Sequence, residues 1–285
     1  MVPSRRRPSH DITQLHDFPR TMTLAKDKTH KGIAEPGDLV RPYSTILESI
    51  VGSTLHGTSV ADGLEDLDLM AIVVERKERL IGFDTTDTWT LRTKPDGVRS
   101  EAGDVDWVGY GLKKYLKLAL AGNPSILLPL FAPNIDLKAV TRTGCDLRKL
   151  SPSIISKKVY QPFKGYLRQQ YSKATGAYGA KKQTRPELIK AHGYDTKFAS
   201  HAVRLGFQGH ELLMTGKITL PMPVNQRKVC VDVRSGLWSF KEVCDLVLAL
   251  EADLDDALLR SPLPEEPNTK LVENWMINTY LRFFN

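Results

Sequence analysis

The chain has 285 residues, 41% of them hydrophobic, and a formal net charge of +7. That length suits two modest cores better than one. No apolar run reaches the roughly 18 residues of a membrane span, and none follows Arg5-Arg6-Arg7 in the manner of a signal peptide. Three dispersed cysteines (Cys145, Cys230, Cys244) have neither disulfide-framework nor metal-site spacing, which favours a reducing, cytoplasmic setting.

Residues 1–38 are polar and basic with little periodicity, and are expected to form an arm. STILESIV (44–51) reads as a strand, or as a short helix turning into one, and it stops at Gly52-Ser53. About a dozen residues later LDLMAIVVE (67–75) has the apolar, β-branched character of a buried strand, and Asp66 and Asp68 enter it at i, i+2. WTLRT (89–93) and DVDWVGY (104–110) alternate as further strands. LKKYLKLALAG (112–122) has helical periodicity, and Asn123-Pro124 supplies an N-cap and a first-turn proline for SILLPLF. After Pro152 the pattern turns helical. Segments 153–176, 194–216 and 239–261 carry apolar residues three to four apart, with Gly216 closing the second and Pro262 and Pro264 following the third. The expected architecture is α+β: a mixed sheet with flanking helices over 39–138, then a helical domain over 150–285.

Side chains at i and i+2 of a strand share a face, so Asp66 and Asp68 sit together and repel unless cations neutralise them. Magnesium suits such a site, because it takes oxygen ligands from a few carboxylates and from substrate phosphates. A third acid on a neighbouring strand would complete a two-metal clamp for phosphoryl or nucleotidyl transfer. Asp104 and Asp106 both qualify. Asp106 is preferred because Val105 and Trp107 bracket it within the strand, whereas Asp104 follows a glycine. Gly52 permits close backbone approach, and the amides and hydroxyl at Ser53 can take a triphosphate.

This order resembles the DNA polymerase β-like nucleotidyltransferase superfamily, whose signature is hG[GS], then [DE]h[DE]h, then a later acid. The details resemble its RNA-repair-pathway branch: Gly52-Ser53, Gly57, the Asp66–Asp68 strand, Gly122-Asn123-Pro124, Lys197-x-x-x-His201-x-x-Arg204-Leu205, and Glu211-Leu-Leu-x-Thr215-Gly216. Glu65 stands where that branch places serine. The resemblance covers about residues 45–220. It implies a nucleotidyltransferase fold, a nucleoside triphosphate donor, two magnesium ions (or manganese) at Asp66, Asp68 and Asp106, and an RNA 3′ end as acceptor. It also makes Lys197 and Arg204 candidates for triphosphate or RNA contacts, and His201 a candidate for orienting a phosphate or base. His56 lies between Ser53 and Gly57, where it would approach the donor phosphates or cap the turn.

On the helix near 194–216, Lys197, His201, Arg204, Gln208 and Glu211 form a polar stripe beside an apolar one of Phe198, Ala202, Leu205, Gly209 and Leu212. Without the resemblance, a solvent-facing stripe is the simpler reading. The window 157–190 holds nine lysines and arginines against Glu187 alone, while 245–266 holds seven acids against Arg260. Lys157, Lys158, Lys164, Arg168, Lys181 and Lys182 are thus candidates for a nucleic-acid face. Tyr160, Phe163, Tyr166, Tyr171 and Tyr178 interleave with them, most as core residues, and the acidic segment would dock on this window or on a partner. The leading expectation is an enzyme adding a nucleotide to tRNA or damaged RNA. The alternatives are a transferase modifying a protein or small molecule, and an inactive nucleic-acid-binding protein.

Overall fold

A computed structural model describes residues 23–24, 44–59, 67–92, 105–176 and 185–284. The expected arm over 1–38, apart from the two residues of its strand, lies outside them, as do Asp66, Asp104, Tyr178, Lys181 and Lys182.

The sheet is built from β1 (Thr23–Leu24), β2 (Ser44–Ile50), β3 (Leu67–Val74), β4 (Thr88–Arg92), β5 (Val105–Gly111) and β6 (Leu137–Val140), in the order β1-β4-β5-β3-β2-β6. β3 and β5 run parallel and the remaining pairs antiparallel, so the sheet is mixed. Of the two readings open for 44–50, the strand is the one adopted. Its β-branched and apolar residues alternate against β3, with an irregularity between Thr45 and Leu47.

Short helices α1 (Gly52–His56) and α2 (Lys77–Ile81) punctuate the strands, and α3 (Leu112–Leu120) follows β5 directly. Asn123 Oδ1 accepts from the amides of Ser125 and Ile126, capping the turn that leads into α4 (Leu128–Phe131). The rest is helical: α5 (Arg142–Lys149), α6 (Ser151–Ile154), α7 (Tyr160–Ala174), α8 (Pro186–His192), α9 (Thr196–Thr215), α10 (Val224–Arg234), α11 (Phe240–Arg260) and α12 (Thr269–Phe284). Asp195 caps α9 by accepting from the amides of Lys197 and Phe198, and Gly216 ends it in the left-handed region. Ser239 and Glu242 make a reciprocal capping box at the start of α11. Among the described residues no helix is long and apolar enough to cross a membrane.

The fold is therefore α+β, with a mixed sheet, flanking helices and a helical half after it. Met70, Ile72 and Val74 on one face of β3 share a buried cluster with Leu112, Tyr115 and Leu116 of α3 and with Val203 and Leu205 of α9. On the other face Ala71 and Val73 pack with Trp89, and Trp107 Nε1 donates to Glu48 Oε2 at 3.3 Å. Because Asp68 precedes Met70 by two residues, it projects from the helix-covered face at the start of its strand.

Candidate active site

The turn after β2 fixes the first half of the site. Val51 N donates to Asp68 O at 2.9 Å, tying the end of β2 to the start of β3. The next residue, Gly52, opens α1 with φ +70°, in the left-handed region that glycine tolerates best. A Cβ at Gly52 would lie 2.0 Å from Asp68 Oδ2. Any side chain there would collide with the carboxylate, so the glycine is required twice over. Ser53 follows within α1, and Gly57 closes that helix at φ +71°.

Asp68 is the direct parallel-register partner of Asp106 on β5. Adjacent parallel strands pair residues of the same face, so the two carboxylates are neighbours. Among the described residues Asp106 Oδ1 is sealed from solvent without a hydrogen bond, and Arg92 Nε lies 3.5 Å from it in a loose ion pair. A buried carboxylate oxygen is costly unless a cation compensates it, and Arg92 does so only loosely. Two neighbouring carboxylates offer the hard oxygen donors that suit a divalent ion of the magnesium type. Among the described residues no three such side chains converge; Asp66 and Asp104 fall outside that set.

The polar stripe of α9 reaches α1, the helix that Gly52 opens. Gln208 is buried, and its carboxamide lies 3.1 Å from His56 Nδ1 and 2.9 Å from Arg204 Nη1. His56 O also accepts from Met222 N at 3.1 Å, so α1 is pinned by both side chain and backbone. Burial, followed by the charges of Arg204 and His201, pushes the His56 imidazole well below its ordinary value. His201 is pulled down to about 3, first by burial and then by Arg204, Lys197, Arg234 and Arg185. Arg204 is lowered by burial to about 10 and stays charged at neutral pH. Both histidines are therefore neutral, in a region of concentrated positive charge. The stripe does not simply meet solvent: Gln208 is buried, and Lys197, His201, Arg204 and Glu211 are half-buried, with Glu211 accepting from Thr219.

Helix α10 contributes residues that the motif reading omits. Arg227 lies against Gly57, where an added Cβ would be 3.0 Å from its Cδ. Arg234 is seven residues further along α10, on the same side, and acts on His201. Both are half-buried, and among the described residues neither they nor Arg204 has a carboxylate partner. Half-buried guanidinium groups without an acid are suited to an anionic ligand. The i, i+7 spacing of the two arginines was the available signal, but it lies beyond the recognised motifs.

A profile of the RNA repair pathway DNA polymerase beta family matches residues 23–247. The chain belongs to this family. The match takes in the Gly52-Ser53 turn, the Asp68 and Asp106 strands, α9 and α10. The crystal structure of a nucleotidyltransferase-like protein from Exiguobacterium sibiricum 255-15 is similar at 12% identity, over 77% of this chain and 70% of that one. Its TM-score is 0.28, and at that level the likeness carries no argument. No curated protein matches the chain.

In this family member the basic window is paired internally. Lys157 meets Glu265 at 2.6 Å and Lys158 meets Glu266 at 2.5 Å. Lys164 meets Asp255 at 2.5 Å, and Arg168 meets Glu251. Asp255 also accepts from Tyr160 OH at 2.6 Å, and its carboxyl is held below the ordinary range mainly by the Lys164 hydrogen bond. The acidic segment thus docks on the basic one. Phe163 is core, Tyr160 and Tyr171 are half-buried, and Tyr166 is partly exposed. Lys173 of α7 and Arg185, just before α8, lie over the Phe198 ring of α9, 5.6 and 4.8 Å from its centroid.

Proposed function

We propose that this chain is a magnesium-dependent enzyme that moves a nucleotide from a nucleoside triphosphate to an RNA 3′ end, in tRNA or damaged RNA. Membership of a polymerase β-like nucleotidyltransferase family supports nucleotidyl transfer as the class of reaction. The observation that carries the finer reading is the contact of Gly52 with Asp68, beside Asp106, on a turn whose far end meets Gln208 and Arg227.

In this reading the amides and hydroxyl at Ser53 hold the triphosphate, and Lys197, Arg204, Arg227 and Arg234 attract its charge. Asp68 and Asp106, with Asp66, would hold two magnesium ions (manganese being the substitute), whose chemistry is polarisation of the phosphate and neutralisation of the charge that develops on it. The acceptor hydroxyl loses its proton to water and forms an O–P bond to the α-phosphorus, while the α–β phosphoanhydride bond breaks and pyrophosphate leaves with its electron pair. His56 and His201 shape the pocket rather than take the proton, because burial and the neighbouring cations hold both imidazoles below their ordinary value, His201 at about 3.

RNA as acceptor rests on the family's RNA-repair association and on the cations of α9 and α10. The window at Lys157, Lys158, Lys164 and Arg168 adds less, because each charge is already compensated. A role in RNA contact for Lys181 and Lys182 is part of the proposal. Incubation with α-labelled triphosphates and magnesium, scored for label on RNA, on protein and on small molecules, tests the reading. Label on RNA with a free 3′ hydroxyl supports it. Label only on protein or small molecules replaces the acceptor, and RNA binding without labelling replaces the enzyme.

A further inference from the structure

We propose that Gln208 is a positioning residue that holds the Arg204 guanidinium and the His56 imidazole in fixed orientations, locking the donor-binding turn to the helical half of the cleft. This deepens the nucleotidyltransferase reading and rests on it for its effect on turnover.

A guanidinium only donates, so the carboxamide atom 2.9 Å from Arg204 Nη1 is the oxygen. The other end of the carboxamide is then an NH2, which also only donates. His56 Nδ1, 3.1 Å from it, must accept. An imidazolium has no lone pair to offer, so His56 is neutral and carries its proton on Nε2. The electrostatics agree. Burial comes first, and Arg204 and His201 of α9 also oppose a second proton, while Arg227 of α10 lies beside the next residue, Gly57.

The consequence follows from where these groups sit. His56 is the last residue of α1, and Ser53 lies one turn earlier on that helix. Gln208 is 2% exposed, so water cannot replace it. Removing the carboxamide leaves Arg204 and His56 Nδ1 short of a partner in a buried setting, where each must shift or pay the desolvation penalty. Both ends of a bound triphosphate would then lose alignment together.

The test uses the full chain labelled with ¹⁵N-histidine, with the tautomer of His56 read by two-bond proton–nitrogen correlation. The wild type should show Nε2 protonated and Nδ1 bare across the neutral range. Gln208→Glu removes the donor, and should turn His56 Nδ1 into a protonated nitrogen. Gln208→Leu should raise KM for the triphosphate about tenfold with a smaller change in kcat, since a misaligned Arg204 weakens binding in ground and transition states alike. A wild-type His56 that is protonated on Nδ1 at neutral pH overturns the assignment. So does a folded Gln208→Leu variant with unchanged KM. If that variant fails to fold, the response of His56 to Gln208→Glu decides. Failure of the wild type to transfer any nucleotide removes the functional reading, and the tautomer still decides whether Gln208 holds the two groups.

Discussion

Asp68 of β3 and Asp106 of β5 are direct register partners on adjacent parallel strands, and Gly52 rests against the first of them. Neither acid belongs to the hydrophobic core, so their removal separates chemistry from folding. Asp68→Asn and Asp106→Asn should each lower nucleotide transfer by roughly 100-fold or more, as expected when a metal ligand worth several kcal/mol is lost. Without divalent ions both variants should melt close to the wild type, because neutralising one of two repelling carboxylates offsets, at Asp106, the loss of its loose pair with Arg92. Rates in magnesium and melting curves in chelator check both halves.

Gly52→Ala tests the same contact from the other side. Its Cβ would fall 2.0 Å from Asp68 Oδ2, at a backbone φ of +70°. The conformational strain alone costs about 1–2 kcal/mol, and the carboxylate must also move. We expect a chain that folds with a lowered melting temperature and transfers little nucleotide. Denaturant unfolding beside the transfer assay measures the two effects.

Cations without acid partners should matter more than cations already paired. Arg227→Gln and Arg204→Gln should each raise KM for the triphosphate by about tenfold to a hundredfold, the value of a charge-assisted hydrogen bond of about 1.5–3 kcal/mol. Arg168→Gln breaks an exposed pair with Glu251 and should leave KM within about twofold. Steady-state kinetics on all three variants at one salt concentration makes the comparison.

The core contains a removable defect. Tyr115 is fully buried, and among the described residues its hydroxyl has no hydrogen-bond partner. Tyr115→Phe keeps the ring and deletes the unsatisfied group, so it should be neutral or stabilising by about 1–2 kcal/mol. A loss of stability in chemical denaturation would show that the hydroxyl has a partner.

Glu75 supplies a pH signature. It is buried, accepts from Leu112 N at 3.0 Å and from Tyr280 OH at 2.6 Å, and joins the start of α3 to α12. Burial raises its folded pKa above 4.5, with the two hydrogen bonds opposing the rise. The folded state therefore holds this proton more tightly than the unfolded chain. Its contribution is fully present below the unfolded value and is lost as pH rises through the folded one. The stability of the wild type relative to Glu75→Gln should fall across that window and level off above it, as measured by urea unfolding at a series of pH values.

Much of this architecture was legible in the sequence where periodicity is strong and contacts are local. The apolar run of β3, the alternation of β5 and the two-stripe pattern of α9 each announced themselves, and Asn123 and Gly216 marked helix ends as their chemistry requires. Gly52-Ser53 read as a turn, because a five-residue helix such as α1 is too short to show a period. The charge of the basic window was visible, but its partner was not. Lys164 and Arg168 are spaced i, i+4, and so are Glu251 and Asp255, yet only the packing of α11 on α7 brings the two rows together. Arg227 escaped notice because its meeting with Gly57 depends on tertiary structure alone.

The most direct test of the carboxylate pair is a manganese titration followed by electron paramagnetic resonance, in the presence of a non-hydrolysable nucleoside triphosphate. The wild type should bind the ion more tightly with the nucleotide than without it, and Asp68→Asn and Asp106→Asn should each lose that enhancement. Equal manganese binding in all three proteins, with or without nucleotide, would contradict the assignment of Asp68 and Asp106 as the metal-bearing edge of a nucleotidyltransferase site.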